Sequence, residues 1–95
     1  MSSHFNDADW SAIPGHCRDG LLLYLEKGVP VGSFLEAVLS NDLREACARA
    51  DDINRRSLFD YVQFLYRYAP IPAWGSAEAY RKWIERGGLV GRAAA

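Results

Sequence analysis

The sequence is short of the residues on which most enzyme and metal sites are built. It holds two histidines, two cysteines and one methionine among 95 residues. The histidines, His4 and His16, lie in or beside the N-terminal arm, and no Ser-His-Asp or Cys-His order stands out. His16 adjoins Cys17, but neighbours on a helix point about 100° apart and do not easily form a nucleophile–base pair. His16 therefore reads as an exposed first-turn residue. Gly28 and Gly32 flank a proline and open no phosphate loop. Catalysis and a bound cofactor are not expected. Cys17 and Cys47 form no C-x-x-C pair, so they carry no metal or redox signature and read as free thiols packed in the core.

Long apolar runs are absent too. Nothing approaches the roughly 18 apolar residues of a membrane span, and the polar, acidic opening segment MSSHFNDADWSAIPGH has no signal-peptide core. The expected compartment is the cytoplasm. Neither sign of charge dominates: 11 basic residues stand against 12 acidic ones. A dedicated nucleic-acid binder generally carries a basic excess, and a protein that imitates DNA an acidic one. Nine of the eleven basic residues are arginine, which suits planar, bidentate or stacked contacts with partners.

What is present is apolar and aromatic. Hydrophobic residues make up 49% of the chain, enough for one modest core and one domain. A chain this size buries roughly 60–65% of its unfolded surface, so a surplus aromatic face favours self-association. The richest stretch runs from Asp51 to Pro70, DDINRRSLFDYVQFLYRYAP. At 3.6 residues per turn, Arg56, Asp60, Gln63 and Arg67 share one polar stripe, and about three-quarters of the circumference is apolar. Such a helix belongs at the centre of a bundle, or at a centre plus a partner interface. The expected fold is all-α, a compact bundle of four to five short helices around a central aromatic helix at about residues 52–68.

The rest of the chain supplies helices and stops. Residues 1–12 read as a flexible or loosely docked arm, with Phe5 and Trp10 as anchors. Pro14 opens a helix that ends at Gly28, with Cys17, Leu21, Tyr24 and Leu25 on one face. Gly20 inside it suggests close packing against a neighbour. Val29 to Gly32 is a tight connector, and Ser33 with Glu36 has the form of a capping box. Asp42 with Glu45 opens a helix whose stripe is Leu43, Ala46, Cys47 and Ala50. Either Asp51 or Asp52 caps the central helix. Pro70 ends it, and the residues from Ile71 to Gly75 are expected to be non-helical. Ser76 caps a last helix with Tyr80, Trp83 and Ile84 inward, closed by Gly87 and Gly88. The domain is expected over residues 13–87, with a frayed tail over 88–95.

Three clusters invite a functional reading. Asp51 and Asp52 with Asp60 suggest a hard-metal site, but Asp60 lies two turns into the helix and helix capping accounts for the pair; no metal is expected. Asn54, Arg55 and Arg56 stand where a helix-turn-helix reads DNA, within a helix–turn–helix outline over residues 42–67. The neighbouring aspartates and the balanced charge argue instead for arginines paired with acids. Tyr66, Arg67, Tyr68 and Trp74 are of the types enriched at protein–protein hot spots, and Pro70 and Pro72 stiffen the presentation of Trp74. The expected partner-binding residues are Arg55, Arg56, Tyr66, Arg67 and Trp74. Nucleic-acid binding through residues 54–56 is one alternative, and a sponge for a nucleotide signal, using an aromatic–arginine pocket between subunits, is another.

Gly28, Pro30, Gly32, Phe34, Leu35, the run Ala37 to Leu43, Arg49 to Asp51, Asn54, Phe59, Tyr66, Ala69, Pro70, Trp74 to Ser76 and Trp83 to Glu85 form an ordered pattern. It resembles that of small helical proteins encoded by tailed phages and prophages. SNDL and WGS are its distinctive elements, and it covers roughly two-thirds of the chain, Leu25 to Glu85. The chain departs from the pattern at Pro72 and Ala73, and the arm before Pro14 lies outside it. The resemblance implies a phage or prophage setting in a host cell. By analogy of size and setting, it implies an accessory protein that binds a host protein complex, as anti-CRISPR inhibitors do, and acts without catalysis.

Overall fold

The computed structural model describes residues 5, 7–89 and 91; His4 and most of the expected tail lie outside them. Among the described residues six α-helices are delimited: α1 (Gly15–Lys27), α2 (Ser33–Leu39), α3 (Leu43–Arg49), α4 (Asp52–Arg56), α5 (Leu58–Tyr68) and α6 (Ala77–Glu85), with a 3-10 turn at Ile71–Ala73 before α6. Among the described residues there is no strand. The chain is an all-α bundle.

Local chemistry sets most boundaries. Gly28 ends α1 in the left-handed conformation (φ 70°), and its N–H donates to the Tyr24 carbonyl at 2.9 Å. The side chains of Asp42, Asp51 and Ser76 accept the Glu45, Asn54 and Ala79 amides at 3.2, 2.7 and 3.0 Å, each satisfying a donor that has no partner inside its helix. The Ser33 capping box does not form. Gly32, extended at φ −69° and ψ 172°, holds the cap position, so Ser33 is already helical and its side chain makes no cap bond.

The stretch expected as one central helix is two. At Ser57 (φ −103°, ψ 6°) the N–H bonds back to the Asn54 carbonyl, only three residues away, and the α-helical register breaks. Of the surrounding apolar residues, α5 buries Tyr61, Phe64 and Leu65 but leaves Phe59, Val62 and Tyr66 exposed. It lies at the edge of the core with one aromatic face outward.

The apolar core comes from every helix but α4, whose buried residue is Asn54. α1 buries Leu21, Tyr24 and Leu25, and α2 buries five of its seven residues, Phe34, Leu35, Ala37, Val38 and Leu39. α3 packs closely on α2, but only Ala46 and Ala50 are covered. Leu43 and Cys47 are exposed, against expectation, because a two-turn helix touching through an i,i+4 pair of alanines covers a narrow strip. Cys17 is half-buried, so neither free thiol is sealed in the core. Ahead of α1, Phe5 and Ile13 are buried. Trp10 packs on Phe64 with ring centroids 4.4 Å apart and donates its indole N–H to the Phe5 carbonyl at 3.1 Å.

One crossing ties the two ends of the bundle. The Trp83 indole donates to the Tyr24 carbonyl (2.9 Å), and the Tyr24 hydroxyl donates to the Ala73 carbonyl (2.6 Å). Tyr24 stacks on Tyr80 at 5.2 Å, and the Tyr80 hydroxyl accepts the Val31 amide. Burial, with Tyr80 alongside, pushes the Tyr24 phenol well above the usual tyrosine range. Backbone meets backbone where Gly28 lies against Gly87 and Gly88, both also at positive φ.

Candidate functional site

α5 is positioned by its buried side. Phe64 and Leu65 enter the core, and the Tyr61 hydroxyl donates to the Asn54 side chain at 2.7 Å. The opposite side must then carry Phe59, Val62 and Tyr66, spaced i, i+3 and i+7 on one face. Phe59 is 72% exposed and Tyr66 85%. Beyond α5, Pro70 turns the chain, and the 3-10 turn buries Ala73 while raising Ile71 to 89% exposure. Trp74 comes back half-buried against the core. The Gly75 amide then donates to the Leu39 carbonyl at 2.8 Å, fastening this segment to the end of α2.

The result is an open groove of about 630 Å³ between α5, the turn and the α2–α3 junction, walled by Val62, Tyr66, Ala69, Ile71, Trp74, Gly75 and Asn41. Phe59, exposed on the same side of α5, extends this apolar surface. Its walls are rigid for physical reasons: a buried helix side, two prolines and a backbone tie.

The five expected contact residues divide. Tyr66 and Trp74 share the groove. Arg67, one residue along from Tyr66, lies in a separate shallow recess with Asp9 and Asp60. Arg55 and Arg56 belong to α4 and are exposed; Arg55 pairs with Asp52 at 3.4 Å. Among the described residues neither Arg56 nor Arg67 makes a salt bridge. The groove also uses Val62 and Ile71, which the sequence reading passed over. Val62 was visible in the i, i+3, i+7 spacing with Phe59 and Tyr66. Ile71 had its sign in an isoleucine set between two prolines.

Asn54 corrects the DNA-reading outline. It is buried and its side chain holds Tyr61, so it presents no outward face to a DNA base, and α4 is only five residues long. His16 is exposed and engages Asp51 (Nε2 to Oδ2, 3.2 Å), while the Cys17 sulfur lies 3.8 Å from Asn54; the two neighbours face different partners. Asp51 caps α4, Asp52 pairs with Arg55, and Asp60 lies in the Arg67 recess. Among the described residues no three His, Cys, Asp or Glu side chains are grouped to hold a metal ion, and no helix is long and apolar enough to cross a membrane. No family model matches the chain, and no curated protein or solved structure matches it either.

Asp51 supplies a pH test of the α3–α4 junction. The Asn54 N–H that it accepts holds its carboxyl below the usual aspartate range, with His16 adding to the effect against a smaller opposing desolvation. A carboxyl lowered on folding contributes stability that is fully present above its unfolded pKa of about 3.9 and is lost as pH falls through the folded value. Asp51→Asn keeps a capping oxygen at every pH. Its thermal midpoint is therefore expected to fall less steeply below about pH 4 than that of the wild type, as followed by circular dichroism. Parallel acid limbs would show that the cap does not depend on the charge.

Proposed function

We propose that this chain is a non-enzymatic binding protein that presents the α5 face and its groove to a protein partner. The observation that carries the reading is the pair Tyr66 and Ile71, almost wholly exposed yet held by a frame that offers them no alternative packing. Aromatic anchors on a rigid support lose little conformational entropy on binding, which is what hot spots require. Arg67, one residue along from Tyr66, supplies a cation for the rim of such an interface.

The phage-protein resemblance supplies the partner class. A host protein complex, with CRISPR–Cas or another defence assembly as the first choice, is the partner we propose, with the cytoplasm as the site of action. A second copy of the chain is the competing occupant, since the same face would serve a homodimer.

Tagged wild-type chain and a Tyr66→Ala/Ile71→Ala variant, each expressed in a host with an intact CRISPR system, discriminate these outcomes. The wild type is expected to retain a defence protein and relieve phage restriction. The variant is expected to bind at least about 30-fold more weakly while its stability changes by no more than about 0.5 kcal/mol. A dimeric mass that becomes monomeric in the variant would favour self-association. Equal capture by both chains would remove the groove from the interface, and no capture with no relief of restriction would end the inhibitor reading.

A further inference from the structure

A second recess, sharing no residue with the groove, lies between α1, the connector after Gly28 and the start of α4. Its volume is about 450 Å³, within the range of small-molecule sites. Pro30, Val31, Phe34 and Leu35 give it an apolar wall, and Asn54 and Cys17 lie at its polar end.

Two glycines line it, and neither is required by a positive φ or by a close contact. Gly20 stands in the middle of a thirteen-residue helix, where glycine is the least favoured residue after proline. A Cβ built there has nothing within 4 Å, and its φ is not in the left-handed region. Close packing, which the sequence suggested for Gly20, is therefore absent. Gly32 is the same: φ −69° and open space. Only Gly15, the first residue of α1, shares this freedom among the described glycines. Gly20 and Gly32 are both exposed, and their missing Cβ atoms leave the wall of the recess open.

The polar groups define what would fill that room. Asn54 is 5% exposed. Its Oδ1 accepts the Tyr61 hydroxyl at 2.7 Å, but its Nδ2 has only the Cys17 sulfur, at 3.8 Å. A thiol is a weak acceptor, so this buried amide keeps donor capacity for an oxygen. The ionisable side chains that line it already have partners, with His16 Nε2 3.2 Å from Asp51 Oδ2 and Arg49 3.0 Å from Glu45. An uncharged ligand competes with none of these contacts.

We infer that this recess binds an uncharged small molecule with an apolar body and one carbonyl oxygen, the oxygen accepting from Asn54 Nδ2 and the body lying against Val31, Phe34 and Leu35 where Gly20 and Gly32 leave space. The site is independent of the protein-binding face.

N-methylisovaleramide, uncharged with a branched apolar body and one carbonyl oxygen, is a suitable probe, titrated at millimolar concentration into the ¹⁵N-labelled full chain. Saturable shifts are expected at the Asn54 side-chain amide and at the Gly20 and Gly32 amides. In a Cys47→Ser background the saturating probe should also slow alkylation of Cys17 by iodoacetamide. Gly20→Ala is expected to raise the melting temperature by about 4–8 °C while weakening the probe several-fold, and Gly20→Leu to abolish its binding. A variant that is more stable yet binds less separates ligand space from fold. The proposal is overturned if the wild type shows no saturable shift at those three positions, or if Gly20→Leu binds the probe as the wild type does.

Discussion

Gly88→Ala and Gly28→Ala are each expected to cost about 2–5 kcal/mol, which for a domain of this size removes a large part of a total near 5–15 kcal/mol. Two costs combine. Both residues sit in the left-handed region, at φ 69° and 70°, where an L side chain is strained by about 1–2 kcal/mol. Both also lack space. A Cβ on Gly28 would lie 2.7 Å from the Gly88 nitrogen and 2.9 Å from the Trp83 carbonyl oxygen, and one on Gly88 would strike the backbone of residues 26–28. Every obstructing atom is backbone, so no side chain can swing away, and relief requires α1 and the end of α6 to move apart. Urea midpoints followed by circular dichroism measure the loss. A change below about 1 kcal/mol would mean that the crossing yields far more easily than packed backbones should.

The contrast between those glycines and Gly20 shows what was legible in the sequence. Gly28 read correctly as a helix stop, because that role depends on its own φ and a neighbouring carbonyl. Its contact with Gly88, sixty positions along the chain, left no local sign. The caps at Asp42 and Ser76 were legible for the same local reason, and Asp51 was one of the two acids read as the next cap. Ser33 misled because Gly32 can hold the cap position equally well, and a capping-box pattern does not choose between adjacent residues. Asn54 misled more seriously. Beside two arginines it looks like surface, and only the positions of Tyr61 and Cys17 reveal it as an interior hydrogen-bonding residue. The Asn54–Tyr61 bond spans the break at Ser57, where the helix expected over 52–68 became two.

The candidate binding face was half legible. Surplus aromatic surface on the segment was evident from composition, since a chain this short cannot bury every ring. Tyr66 and Trp74 followed from that surplus. Arg55 and Arg56 were grouped with them by residue type, yet α4 carries them apart from the groove. Which rings stay outside depends on where α2 and the 3-10 turn pass, and that is set by long-range ties such as Gly75 to Leu39 and Tyr24 to Ala73.

The Tyr24 tie runs on to Trp83, and Trp83→Ala is expected to destabilise the chain by about 3–5 kcal/mol. The ring is fully buried, with the Arg86 guanidinium 4.9 Å from its centroid, and its backbone carbonyl faces Gly28. Deleting it opens a cavity bounded by a glycine crossing that cannot close without clashing. Trp83→Phe is expected to cost far less, about 1–2 kcal/mol. It forfeits the indole N–H bond, but the Tyr24 carbonyl keeps the Gly28 amide at 2.9 Å and is not left bare. The difference between the two variants in urea therefore isolates packing from hydrogen bonding, and equal losses would assign the stability to the indole bond instead. The effect should also reach the binding face. Tyr24, loosened by loss of Trp83, holds the Ala73 carbonyl, and Ala73 sits between the exposed Ile71 and the half-buried Trp74. Trp83→Ala should thus weaken partner capture under conditions where most molecules remain folded, whereas Trp83→Phe should not.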